Sequence, residues 1–104
     1  MKGVVERALM NDQPITVPTG VIGEWWRGRT NVRDAIIASV DIEPLTTALA
    51  KVAGEALAVV RGATLVDAIV MASAASRGDI VYTGDVHDFE KLSRVFPGVR
   101  ILGV

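Results

Sequence analysis

Carboxylates are the residues of this chain best able to do chemistry. Its 104 residues include twelve Asp and Glu, against eleven Lys and Arg and a single His. Four of these acids stand beside apolar runs. Glu24 follows Val21-Ile22-Gly23. Asp67 sits early in Thr64-Leu65-Val66-Asp67-Ala68-Ile69-Val70-Met71. Asp85 and Asp88 come just after the apolar residues 80–82, in Thr83-Gly84-Asp85-Val86-His87-Asp88-Phe89. Hard carboxylate oxygens gathered at one place suit Mg2+ or Mn2+, which take oxygen ligands and keep several waters. A metal so held can activate a water and neutralise charge on a phosphodiester. Without a metal, such carboxylates repel one another and raise some of their own pKa values.

Each acid also has a simpler reading. Thr64-x-x-Asp67 has the form of a capping box, in which the acid only satisfies a helix start. Asp85-x-x-Asp88 fits a cap plus a favourable charge on a helix dipole. Glu24 fits an exposed helix position. The simpler reading is preferred for each acid alone; three segments placing acids at matching positions weigh against it. Arg27, Arg29 and Arg33 follow Glu24 closely and can hold phosphates, or form an ordinary solvated surface. Trp25 and Trp26 can stack on bases. Adjacent helix residues point in different directions, so one Trp is expected in the core and the other at an interface. Thr83 can orient a carboxylate or a water, or simply make a turn. His87 has no partner visible in the sequence and reads as a surface or capping histidine.

Other chemistries are excluded. Without cysteine there is no disulfide framework, thiolate zinc site or cysteine nucleophile. The phosphate-cradling patterns GxxxxGK[ST] and GxGxxG are absent, as are HExxH and the GxSxG elbow. A net charge of −1 carries no global nucleic-acid signature, so RNA or DNA binding must rest on a local patch. Lys2, Glu6 and Arg7 interrupt the apolar N-terminal residues, unlike a secretory signal. No apolar run approaches the roughly 18 residues of a membrane span. The expected setting is cytoplasmic, with no membrane partner.

The elements that must position these residues follow from periodicity and punctuation. A short helix is predicted over 3–10, broken by Asn11-Asp12-Gln13-Pro14. A brief strand spans 15–17 and is closed by Pro18. A helix follows over 21–26, interrupted at Gly28. Thr30 or Asn31 caps another through residue 39. After a short strand at 40–42 come two strong helices, 45–60 ended by Gly62 and 64–76 ended by Arg77-Gly78. Residues 80–82 form a strand. Asp85 or His87 opens a last helix to about residue 95, stopped by Pro97-Gly98, and 99–102 form the final strand. With 50% hydrophobic residues spread evenly, the chain reads as a single domain over 1–104. Short apolar strands alternating with helices predict an α/β fold with a parallel or mostly parallel sheet. Sites in such sheets lie at the carboxyl ends of the strands, where the Asp85 region falls.

On these residues the chain resembles a PIN domain, in particular the VapC-type toxins of toxin–antitoxin pairs. The resemblance rests on Ile15-Thr16-Val17-Pro18-Thr19-Gly20-Val21-Ile22-Gly23-Glu24, on Glu43-Pro44-Leu45 with Ala53-Gly54-Glu55, on Val66-Asp67-Ala68, and on the segment from Val81 to Phe89. It runs from about residue 4 to the C-terminus, and the last two segments are its most specific parts. It implies a PIN-like fold, a short mostly parallel sheet flanked by helices, and cleavage of RNA dependent on Mg2+ or Mn2+. By position, Glu24, Asp67, Asp85 and Asp88 match acids of the family's metal site. Thr83 matches the small hydroxyl residue before the fourth acid. Arg27, Arg29 or Arg33 would then steady the RNA backbone. The resemblance further implies a homodimer and inhibition by a cognate antitoxin.

One departure stands out. The family opens with a hydrophobic strand ending in Asp at the centre of its sheet, and this chain has no counterpart to it. Neither Glu6 nor Asp12 replaces that acid by position. Without the strand, two neighbouring strands keep unpaired backbone groups, which cost about 1–3 kcal/mol each when buried. An intimate dimer or a rearranged sheet is the expected response. Three states remain open: an active ribonuclease, a catalytically impaired remnant that only dimerises or binds antitoxin, and a longer protein whose start codon lies upstream.

Overall fold

The computed structural model describes residues 15–104. The helix expected over 3–10 and the breaker at 11–14, with Glu6 and Asp12, lie outside the described residues.

Strand β1 (Thr16–Pro18) leads directly into helix α1 (Thr19–Trp25), because Pro18, at φ −62°, already has the extended backbone a helix start needs. The loop after α1 turns at Gly28, whose φ of +112° suits a residue without a Cβ. Helix α2 (Asn31–Ala38) starts at the Thr30 cap, whose hydroxyl accepts from the Arg33 amide at 3.1 Å. Strand β2 (Asp41–Glu43) follows. Helix α3 (Thr47–Val59) is capped by Thr46 and α4 (Leu65–Arg77) by Thr64. Gly78, left-handed at φ +68°, closes α4 by sending its amide back to Ala74 and Ala75. Strand β3 (Ile80–Thr83), helix α5 (Val86–Glu90), a 3-10 turn (Lys91–Arg94) and strand β4 (Arg100–Gly103) complete the order. The single last helix expected to residue 95 is thus split. The tighter turn carries Leu92, fully buried, and its carbonyl accepts from both Val95 and Phe96.

Strand pairing is parallel throughout, as the alternating pattern predicts. The ladders are two separate pairs where one sheet was expected. β1 pairs with β2 in the register Thr16↔Asp41, and β3 pairs with β4 in the register Ile80↔Arg100. The reason lies between β1 and β3. A slot of about 200 Å³ separates them, with Val17 and Pro18 on one wall, Val81 and Tyr82 on the other, and Val70 and Ala74 of α4 among its lining. No described strand occupies that slot, so the two ladders do not join.

The core sits on the β3–β4 side. Helices α3 and α4 approach closely over Ala53, Ala56, Ala68 and Ala72, all buried. Met71, Leu92, Val81, Phe89, Phe96 and Val99 extend the same cluster. On the β1–β2 side the buried apolar residues are Val17 and Ile36. A polar clamp links the sides. Ser73 donates to Glu43 Oε1 at 2.6 Å, and Arg77 Nη1 reaches both Glu43 Oε2 at 2.5 Å and Ser73 Oγ at 2.7 Å. Arg77 Nε also binds Asp79 at 2.9 Å. Among the described residues no helix is long and apolar enough to cross a membrane.

Candidate functional site

The acids gather where the parallel strands end. β1 runs into α1, which carries Glu24 in its last turn. The Gly78-Asp79 connection between α4 and β3 is too short for anything but a reversal, so the start of α4, with Asp67, lies at the carboxyl end of β3. β3 itself leads through Thr83 and Gly84 to Asp85 and to α5, whose first turn holds Asp88.

Charge at Asp67 reports the convergence. Its carboxyl is half-buried and its pKa is pushed up, first by loss of solvent and then by repulsion from Asp88, Glu24 and Asp85. Only a hydrogen bond with Thr64 opposes this. All four predicted acids therefore share one electrostatic neighbourhood. Asp88 is shifted the other way. A hydrogen bond shared with Asp85 lowers it most, and the Lys91 ammonium, 3.4 Å from Asp88 Oδ1, adds to the effect.

The simpler readings fare differently at each acid. Thr64 caps α4 by accepting from the Asp67 amide at 3.2 Å, which is the first half of the capping box. A cap alone does not explain why three further carboxylates act on that carboxyl. Asp85 occupies the position before α5, but its side chain makes no capping bond. Its backbone is instead fixed by the buried Thr83, whose Oγ1 accepts from the Asp85 amide at 2.9 Å. Thr83 thus makes a turn and in doing so sets the position of Asp85. Glu24 is exposed, as the simpler reading requires.

Arg27 and Arg29 stand on the loop after α1, and Arg33, in the first turn of α2, reaches back to that loop. Arg27 Nη1 donates to the Trp26 carbonyl at 2.7 Å, and Arg33 Nη1 to the Gly28 carbonyl at 3.1 Å, and neither charge has an acidic partner among the described residues. Arg29 is different, because its Nε pairs with Asp34 at 2.6 Å. Trp25 and Trp26 meet edge to face with centroids 6.1 Å apart. Both are half-buried, so the expected division into one core and one interface residue is not seen. Edge-to-face packing holds each ring partly covered by the other. His87 is exposed.

As donors, these oxygens suit a hard divalent cation. Among the described residues no three Asp, Glu, His or Cys side chains stand close enough together to hold one ion. Magnesium is often held by one or two carboxylates with waters filling the rest. Asp85 and Asp88, on neighbouring turns of one segment, with charge crowding at Asp67 for a cation to relieve, fit that mode in kind. The slot between β1 and β3 is a separate feature, since no carboxylate of the described residues lines it.

Two groups of functional interest escaped the sequence. Lys91 lies three residues after Asp88, a spacing that puts the two on one helical face and could have flagged the pair. The Ser73–Glu43–Arg77 clamp joins residues about thirty positions apart, and no local signal marks it. No family model, no curated protein and no solved structure matches this chain.

Proposed function

We propose that this chain is a VapC-like, PIN-type endoribonuclease that cleaves RNA phosphodiesters with Mg2+ or Mn2+, acts in the cytoplasm and is neutralised by a cognate antitoxin. The observation that carries the reading is the field at Asp67, where three carboxylates from two other stretches of chain bear on a fourth. A fold gains no stability from crowding like charges, and sites with raised carboxyl pKa values are enriched in function.

In this reading Asp85, Asp88, Asp67 and Glu24 supply the oxygens facing the cation. The cation supplies activation of water and neutralisation of phosphate charge. Thr83 positions Asp85 through its amide. Arg27 and Arg33 take RNA phosphates, and Arg29 does so only by leaving Asp34. A homodimer is part of the proposal. Support comes from the edges of β1 and β3, which pair with no further strand among the described residues, and from the exposed apolar residues Leu45, Val52 and Val59, spaced seven apart along and just before α3.

A second reading has its own support. The absence of a three-ligand cluster among the described residues favours a catalytically impaired remnant that only dimerises or binds antitoxin. An RNA cleavage assay separates the two. The proposal expects cleavage with Mn2+ or Mg2+ that falls to background with EDTA and with Asp67→Ala. No cleavage from protein shown to be folded by circular dichroism would leave the binding module.

A further inference from the structure

A second group of cations adjoins the acids through Lys91. Val59 and Val60 at the end of α3, Arg61 just after them, and Lys91 and Arg94 of the 3-10 turn line an open depression of about 420 Å³. Three of these five residues are cationic and none is acidic. Arg61 and Arg94 are exposed, and neither has an ion pair or side-chain hydrogen bond among the described residues. Lys91 forms the shared wall. Its ammonium lies 3.4 Å from Asp88 Oδ1 and 3.8 Å from where a Cβ on Gly62 would stand. Gly62 holds φ +81°, a conformation that other side chains rarely adopt.

Two of these three cations, Arg61 and Arg94, have no anion of their own among the described residues, and such charges create a local field that concentrates anions. This field lies beside a group of carboxylates that would otherwise repel a polyanion. A cation also follows an acid by three residues twice: Arg27 after Glu24, just past α1, and Lys91 after Asp88, where the two form an ion pair. That arrangement suits a strand carrying a charge at every step better than a small isolated anion.

We propose that the depression formed by Arg61, Arg94 and Lys91 is a phosphate subsite that holds the backbone of single-stranded RNA beside the acidic edge. The choice of RNA rests on the ribonuclease reading; the phosphate chemistry rests on the cations alone. Arg61 and Arg94 bind the phosphate, and Lys91 divides its charge between that phosphate and Asp88.

The test is binding of a labelled short single-stranded RNA, followed by fluorescence anisotropy in EDTA across a salt series. The proteins compared are the unaltered chain, Arg61→Gln/Arg94→Gln, and the charge-matched Lys51→Gln/Arg100→Gln, which alters α3 and the far end of β4. The subsite expects the first double variant to bind at least about tenfold more weakly, with a salt slope shallower by about 1.4, two single-strand phosphate contacts. The matched control should stay within about twofold of the unaltered chain. Equal weakening in both variants would reduce the effect to net charge and overturn the subsite. So would unchanged binding by Arg61→Gln/Arg94→Gln, or no RNA binding by the unaltered chain. A parallel cleavage assay keeps the two proposals distinct. Cleavage with unchanged binding by the Arg61/Arg94 variant sinks the subsite alone, whereas binding lost in that variant from a chain that never cleaves sinks the nuclease alone.

Discussion

The β3–β4 half of the molecule and the β1–β2 half are built to different standards. Around β3 and β4, helices α3 and α4 interlock over alanines, and Leu92, Met71, Phe89 and Phe96 fill one continuous cluster. Around β1 and β2, helix α1 has no buried residue, α2 buries only Ile36, and Ile42 of β2 is 41% exposed. The candidate site straddles this divide. Asp67, Thr83, Asp85 and Asp88 stand on the well-packed half, and Glu24 with its arginine loop on the other. Local opening is easiest where few apolar contacts are buried. The geometry of Asp85 and Asp88 therefore belongs to a stable frame, while the distance from Glu24 to them depends on how firmly β1 and α1 are held.

The largest expected effect tests that contrast directly. Leu92→Ala should cost about 2–5 kcal/mol, because Leu92 is fully enclosed and its neighbours cannot collapse into the void. Ile36→Ala removes a similar side chain from a thin layer that can relax, and should cost less than half as much. Urea denaturation of both variants measures this. Equal losses would mean that the β1–β2 half is as well packed as its partner.

Next in size is the clamp between the halves. Arg77→Met keeps much of the side-chain volume but removes the guanidinium from Glu43, Ser73 and Asp79. Partly buried groups that lose their partner cost about 1–3 kcal/mol. Hydrogen exchange should show the amides of β2 speeding up while those of β3 and β4 hold. Uniform acceleration would show that the halves unfold as one unit, and the clamp would then be an ordinary stabilising network.

The sequence made much of the stable half legible, because its signals are local. Thr64, Arg77-Gly78 and Gly62 bracket the helices close to where they end, and Thr83 with Asp85 falls at the strand-to-helix turn as expected. The division into two ladders was not legible in the same way. Strand pairing joins residues far apart, and three-residue strands such as Thr16–Pro18 carry no information about which edge finds a partner. Of the site, the four acids were readable as a set because each follows a strand or opens a helix. Their mutual repulsion was readable only as a consequence of bringing them together. Arg61 and Arg94 were invisible as a pair, since they come from separate turns and meet only across the depression. The division of Trp25 and Trp26 into one core and one interface residue failed because helical spacing assumes a packed neighbour on one side, and none of the described elements buries α1 fully.

The smallest effects carry the most information about the site, because Asp67 and Asp88 should respond to pH with opposite signs. The folded state raises the Asp67 pKa above its ordinary 3.8, so it binds this proton more tightly than the unfolded chain does. The contribution of Asp67 to stability is then fully present below 3.8 and is lost as pH rises through the folded value. Asp67→Asn should accordingly raise Tm by a few degrees at most at neutral pH, and the gain should vanish in acid. Asp88 is lowered in the folded state, so its contribution is present at neutral pH and lost as pH falls through the folded value. Asp88→Asn should lower Tm slightly at neutral pH, with the loss fading in acid. Thermal melts of the two variants across pH 3–7 give the comparison. Adding Mg2+ sharpens it: a cation relieving the repulsion should raise the Tm of the unaltered chain and close its gap to Asp67→Asn. An Asp67→Asn variant that gains no Tm at neutral pH would mean that the other carboxylates do not bear on Asp67, and the site would reduce to a helix cap beside a surface ion pair.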